Sequence, residues 1–318
     1  MGIDRRLYCY ADASCDRQIS QTLSAQNQRR HPHRQQLCRS RSCQGYLLTM
    51  RSAIAVLRLG LFFLSGVFTV IYQKIVLSFT TGPMAFAYPR AYHKFCAWLM
   101  GMKVIVEGEP MATGQNVIYV GNHISYMDIC TIGSVIPAAF VAKKDIENWP
   151  FFGIVGKAGR TLYISRNPAE AAEAAKRLED RLNEPSPLIF FAEGTSSNGK
   201  QIIPFRSSAF EIFLKHKTII QPFTLSLMEL DKETNITDAL RDQYTWYGDM
   251  DLMPHLWNFA KMKGGVIKLT FQKPFLSHSF QNRKELCNAC YEDVVKGLDL
   301  SPSPEYVLPE TQKQHATF

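Results

Sequence analysis

Val117-Ile118-Tyr119-Val120-Gly121-Asn122-His123-Ile124-Ser125-Tyr126-Met127-Asp128 changes character in its middle. The apolar, β-branched run up to Val120 reads as a buried strand, Gly121-Asn122 ends it, and a helical pattern opens at Ser125. His123 therefore stands where a strand hands over to a helix, on a rigid scaffold beside the free N–H groups of a helix N-terminus. His123 and Asp128 lie five residues apart, which on one continuous helix would leave their side chains about 140° apart. Across a turn they can meet. With the helix opening at Ser125, Asp128 takes its third position, and a carboxylate–imidazole hydrogen bond fixes the tautomer and raises the basicity of the other ring nitrogen. The same residues have a plainer reading: Ser125-x-x-Asp128 fits a capping box, and His123 is then only a turn residue.

A second junction weighs against the plainer reading. Leu188-Ile189-Phe190-Phe191 is an apolar strand that runs into Ala192-Glu193-Gly194-Thr195, and an acid at the end of a buried strand is unfavourable unless it is paired or used. With both junctions the chain resembles the glycerolipid acyltransferase family, whose best known members are the lysophosphatidate acyltransferases. The family's Asn-His-x4-Asp signature matches Asn122 to Asp128, and its Phe-Pro-Glu-Gly-Thr-Arg signature matches Phe191 to Ser196. Between them stand Ala142-Lys143-Lys144-Asp145, then Pro150-Phe151-Phe152-Gly153, then Gly159 to Arg166, in the family's order.

The resemblance implies an α/β fold, a mixed and largely parallel sheet flanked by helices, with an N-terminal apolar membrane-anchoring helix or helical hairpin. It implies an O-acyltransferase that moves a fatty acyl group from acyl-CoA or acyl-carrier protein to the free hydroxyl of a lysolipid, in phospholipid biosynthesis. His123 is then the general base and Asp128 its support, with no acyl-enzyme, no metal and no cofactor beyond the thioester co-substrate. N–H groups near Gly121 to Ser125, or after Glu193, are the candidates to hold the oxyanion. Glu193, Gly194 and Thr195 match the family's acceptor-side block, and Lys144, Arg166 and Arg206 are candidate cations for the acceptor. Arg206 lies in Pro204-Phe205-Arg206-Ser207-Ser208, similar to the family's Pro-Phe-Lys-Lys-Gly block. The departure is Ser196 where the family has Arg. The favoured acceptor is 1-acyl-sn-glycerol-3-phosphate. The alternative is a lyso-ornithine lipid, because Glu-Gly-Thr-Ser-Ser also looks like bacterial branches that acylate such lipids. A third reading, from another class, is a lipid-binding membrane protein that keeps the fold without catalysis.

Other motifs fail on chemistry. Gly194-x4-Gly199-Lys200 nearly spells a P-loop, but Gln201 replaces the Mg²⁺-binding hydroxyl residue and Pro204 stands where a helix should begin. No Gly-x-Ser-x-Gly is present for a serine hydrolase.

Of the net charge of +8, residues 1–50 carry +5 through eight Arg and three Asp, so the remaining chain is only mildly basic. With no basic stripe interleaved with aromatics, nucleic acid is not an expected partner. Residues 1–50 are Arg-, Gln-, Ser- and Cys-rich without a sustained period, and read as disordered, or as sequence upstream of a start at Met50. Residues 51–103 read as a membrane-associated helical segment. Ala53 to Tyr72 is apolar apart from Arg58, which is expected to reach the headgroups, and the segment either spans the bilayer or lies in one face of it. Residues 104–300 form the expected acyltransferase domain, on the cytoplasmic face, and the Pro-containing tail 301–318 reads as disordered. Strands are expected at 104–107, 117–121, 139–142, 162–165, 188–192, 219–226 and 266–271. Helices are expected at 168–182, 206–215 and 280–296, with 229–264, including Trp246 to Asp251, an excursion outside the sheet and over the acceptor pocket. The eight cysteines show no paired zinc spacing and read as reduced and structural.

Overall fold

The computed structural model describes residues 41–80, 85–111, 117–165, 167–184 and 186–298. The expectations for the first 40 residues, for the tail and for Arg166 lie outside the described residues. Two compact units divide between Ala53 and Ile54, and the account below concerns the second.

β2 (Val117–Gly121) is the centre of the sheet and is buried along its whole length. Its alternate side chains enter two cores, as the period of a strand requires. Val117 and Tyr119 join one cluster with Phe62, Cys96, Ile132 and Phe259. Ile118 and Val120 join the other with Leu178, Phe210, Phe213 and Leu286. Each such large apolar side chain contributes roughly 1.5–3 kcal/mol on burial.

Around β2 run β1 (Met102–Glu107), β3 (Ala139–Lys143), β4 (Leu162–Ile164), β5 (Leu188–Phe191), β6 (Ile219–Leu230) and β7 (Gly265–Phe271), in the order β1-β7-β6-β2-β5-β3-β4. β2 is parallel to β5 and β6, β3 is parallel to β5 and β4, and β7 is antiparallel to β6 but parallel to β1. All seven expected strands are present. The two-residue β8 (Phe275–Leu276), antiparallel to β6, is too short to show a period in sequence.

The helices are α1 (Arg41–Phe79), α2 (Ala87–Leu99), α3 (Asp128–Gly133), α4 (Phe152–Ala158), α5 (Ala171–Leu182), α6 (Ser208–Lys215), α7 (Asp238–Arg241), α8 (Leu252–Ala260) and α9 (Arg283–Gly297). Residues 41–50, expected to lie outside the ordered body, are the first turns of α1, since nothing in Gly45 to Met50 breaks the helical run. The expected helix from Pro168 opens instead as a tight 3-10 turn, Pro168–Glu170, with the Asn167 side chain accepting from the Ala169 N–H at 3.1 Å. A further correction falls at the first junction. The helix expected from Ser125 begins at Asp128, because Ser125 turns the chain by accepting the Met127 N–H on its hydroxyl at 3.2 Å.

α1 is the one helix among the described residues long and apolar enough to cross a bilayer, over Thr49–Phe79. From Ile54 onward it carries a covered stripe and an exposed apolar one, each of helical spacing. Ala55, Phe62, Thr69 and Gln73 are buried against the domain, while Leu57, Leu61, Leu64, Phe68, Ile71 and Ile75 are exposed. The Gln73 amide donates to the Ala85 carbonyl at 2.9 Å, and the Tyr72 and Tyr88 rings lie 4.3 Å apart, so α1 and α2 make a helical hairpin. Arg58 does not reach outward as expected. Its guanidinium donates to the carbonyls of Ala260 and Met262, the orphan acceptors at the end of α8, which attract a cation.

Candidate active site

The carboxyl ends of β2, β5, β3 and β6 share one edge of the sheet, the edge where open α/β sheets bind ligands. Gly121 ends β2 under the Phe223 backbone. A Cβ there would stand 2.5 Å from the Phe223 carbonyl oxygen, so only glycine lets β6 close against this end. Asn122 then completes the ladder with its side chain, accepting from the Leu225 N–H at 2.7 Å and donating to the Leu225 carbonyl at 3.0 Å.

His123 follows, its ring stacked on Phe191 with centroids 4.1 Å apart and planes 14° apart. His123 Nδ1 lies 2.8 Å from Asp128 Oδ2. A carboxylate can only accept, so Nδ1 carries the proton and Nε2 is left with a lone pair. Among the described residues Nε2 has no hydrogen-bond partner, and the side chain is 20% exposed while Asp128 is fully buried. Asp128 Oδ2 also accepts the N–H groups of Ile124 at 2.7 Å and Ser125 at 3.0 Å, and Oδ1 accepts the Tyr244 hydroxyl at 3.3 Å. The capping box expected at Ser125 is not formed, since the helix begins at Asp128 without a side-chain cap, and the carboxylate serves the turn and the imidazole together.

Glu193 lies beneath this loop. It is buried, with Oε1 accepting the His123 N–H at 2.7 Å and Oε2 the Ile203 N–H at 2.9 Å. Burial pushes its pKa up to about 8, against the opposing pull of those two N–H bonds. Gly194 has φ +72°, a left-handed conformation, and a Cβ there would meet Arg206 Nε at 2.9 Å. The next residues cross over to the first loop, where the Ser197 N–H donates to the His123 carbonyl at 2.9 Å. The N–H groups of His123, Ile124 and Ser125 are all engaged, which removes them as oxyanion donors. Those of Thr195 and Ser196 have no partner among the described residues.

The structure thus brings His123, Asp128, Glu193, Gly194, Thr195 and Arg206 together. Lys144 stands apart. It follows β3, two strands from β2 or about 10 Å at the usual strand spacing, and its ammonium is paired with Glu170 at 2.5 Å. Ser196 is buried, its hydroxyl donating to the Trp246 carbonyl. Among the described residues no group of three or more His, Cys, Asp or Glu side chains is placed to share a metal ion. Tyr244 carried no signal in sequence, because it stands in a polar stretch without periodicity and reaches the site only through the tertiary fold.

The Acyltransferase family description matches residues 103–226, which include both junctions. A lyso-ornithine lipid O-acyltransferase of Rhodobacter capsulatus is 32% identical over 211 residues, covering 64% of this chain and 73% of that protein. This chain belongs to the glycerolipid acyltransferase family. A 1-acyl-sn-glycerol-3-phosphate acyltransferase of Neisseria gonorrhoeae is 29% identical over 166 residues, 52% of this chain and 62% of that protein. The fold is shared with the 1-acyl-sn-glycerophosphate (LPA) acyltransferase PlsC from Thermotoga maritima, at a TM-score of 0.57 and 19% identity over 78% of this chain and 93% of that one. α1 is the candidate membrane anchor of this acyltransferase.

Proposed function

We propose that this acyltransferase moves a fatty acyl group from an acyl thioester to the free hydroxyl of a lysolipid, with His123 as general base. The 2.8 Å contact between His123 Nδ1 and Asp128 Oδ2 carries this reading, because it fixes the proton on Nδ1 and leaves the Nε2 lone pair as the base. Nε2 takes the proton of the acceptor hydroxyl as the oxygen attacks the thioester carbonyl. The tetrahedral intermediate expels the thiolate, which recovers that proton from the imidazolium, and buried Asp128 steadies the cation in between. The free N–H groups of Thr195 and Ser196 are the donors suited to the oxyanion. The thioester is acyl-CoA or acyl-carrier protein, and the reaction needs no further cofactor.

α1 is covered along one stripe from Ala55 to Gln73, which favours an exposed stripe lying in the plane of one bilayer face over a span across it. The free thiols of Cys96, Cys130, Cys287 and Cys290 support a cytoplasmic orientation of the catalytic domain.

Two acceptors fit. Arg206, packed against Gly194, supports 1-acyl-sn-glycerol-3-phosphate by offering charge to a phosphate, with Glu193 and Gly194 shaping its seat. A lyso-ornithine lipid is favoured by Ser196. The position that bears Arg in the family here bears a hydroxyl turned inward onto Trp246, and the relative from R. capsulatus carries that acceptor in its name. The test is acyl transfer by detergent-solubilised protein from labelled acyl-CoA to lysophosphatidate, to a lysophospholipid with a larger headgroup, and to lyso-ornithine lipid. The preferred product assigns the acceptor. His123→Ala is expected to lower turnover on the order of 10²- to 10⁴-fold with folding and membrane sedimentation kept. Wild-type turnover in that variant would defeat the role given to His123, and no turnover by the wild type on any of the three acceptors would leave the non-catalytic, lipid-binding reading standing.

A further inference from the structure

The segment between β6 and β7 lies beyond the residues matched to the family, yet its contacts converge on the His123–Asp128 loop. Tyr244 is fully buried, its ring edge-on to Phe259 at 5.7 Å, and its hydroxyl donates to Asp128 Oδ1 at 3.3 Å. The turn that presents it is held from two sides. His255 Nε2 lies 3.0 Å from the carbonyls of both Asp242 and Thr245. Two carbonyls can only accept, so Nε2 bears the proton, and Nδ1 accepts from the Tyr126 hydroxyl at 2.9 Å. Tyr126 itself lies between His123 and Asp128 in sequence. The Trp246 N–H donates to the Ile124 carbonyl at 2.9 Å, and the Trp246 carbonyl receives the Ser196 hydroxyl. One turn, residues 242–246, therefore grips both loops of the site.

We propose that Tyr244 is a positioning residue for the catalytic pair, acting through Asp128, and that His255 holds the turn that delivers it. The inference rests on the reading of His123 and Asp128 given above. Three donors converge on Asp128 Oδ2, and one of them is the imidazole. With only those three, the carboxylate can pivot about Oδ2. A donor on Oδ1 fixes its plane, and the direction of the imidazole with it. In a buried site, one such bond also prevents Oδ1 from remaining a charged oxygen without a partner.

The test is steady-state kinetics of the full chain in detergent, with labelled acyl-CoA and its best acceptor, for Tyr244→Phe and His255→Gln beside His123→Ala and Asp128→Asn. Tyr244→Phe keeps the ring against Phe259, so its melting temperature is expected to stay within a few degrees. Its kcat is expected to fall about five- to tenfold, the worth of one buried hydrogen bond, with KM within about twofold. His255→Gln is expected to give a smaller fall in kcat in the same sense. In ¹⁵N-histidine spectra the His123 Nδ1–H signal is expected to shift in Tyr244→Phe. Unchanged kcat in both variants, or a loss confined to KM, overturns the positioning role. If that happens while His123→Ala and Asp128→Asn are inactive, the catalytic reading survives. Full activity in His123→Ala and Asp128→Asn overturns both.

Discussion

Glu193 joins the two loops of the site through a carboxyl group whose oxygens both accept backbone N–H groups, and this sets a pH dependence. Burial raises its pKa from 4.5 to about 8, so between those values the folded chain holds a proton that the unfolded chain has released. The contribution is complete below pH 4.5 and declines as pH rises through 8. Thermal unfolding midpoints should therefore fall between pH 5 and 8 in the wild type, and Glu193→Gln should flatten that slope. A wild-type midpoint that rises over the same range would mean that the two N–H bonds keep the group ionised. Beside it, Gly194→Ala has no space for its methyl against Arg206 and must hold φ +72°. A loss of about 1–2 kcal/mol in chemical denaturation is expected from the left-handed backbone alone. At this scale the sequence was legible where chemistry and spacing coincide, as in His123, Asp128 and the Glu193-Gly194 pair. It was silent on which N–H groups are free, because Glu193 and Asp128 engage three of them through bonds that only the folded loops define.

The elements were easier to read than their ends. Seven strands announced themselves through apolar runs bounded by breakers, most plainly β2, which is buried between two cores, while β1 at the margin is largely exposed. The start of α3 was misplaced by three residues because Ser125, a good helix cap by type, spends its hydroxyl on a turn. The role of α1 was half legible. Its apolar length was plain, but the division into a covered and an exposed stripe depends on the domain beneath it, and so does the use of Arg58 as a tie to α8. The two stripes should respond differently to substitution. Phe62→Ala, in the covered stripe, is expected to destabilise by about 3–5 kcal/mol in denaturant melts, as core Phe truncations do. Leu64→Gln combined with Phe68→Gln, on the exposed stripe, should leave the melt nearly unchanged and release protein from sedimented vesicles. Equal release by both variants would show that the stripes are not distinct.

The whole molecule places a sheet edge, two loops and the excursion between β6 and β7 around one imidazole. The excursion was read in sequence as lying outside the sheet, over the acceptor pocket, but its bonds to the His123–Asp128 loop were not legible, since Tyr244 and His255 stand in no local pattern. The bond from Ser196 to the Trp246 carbonyl ties the loop after Glu193 to that excursion. For anyone redesigning this acyltransferase, acceptor preference is then not a single interchangeable letter. Ser196→Arg would have to expel its own side chain from a buried position and give up a bond that closes the clamp. It is expected to lower the melting temperature and reduce turnover on every acceptor without creating a new preference, measurable with the same acceptor panel. A graft that exchanges residues 193–200 and 242–246 together, as one cassette from a relative of different taste, is the smallest change that keeps both halves of the lock matched.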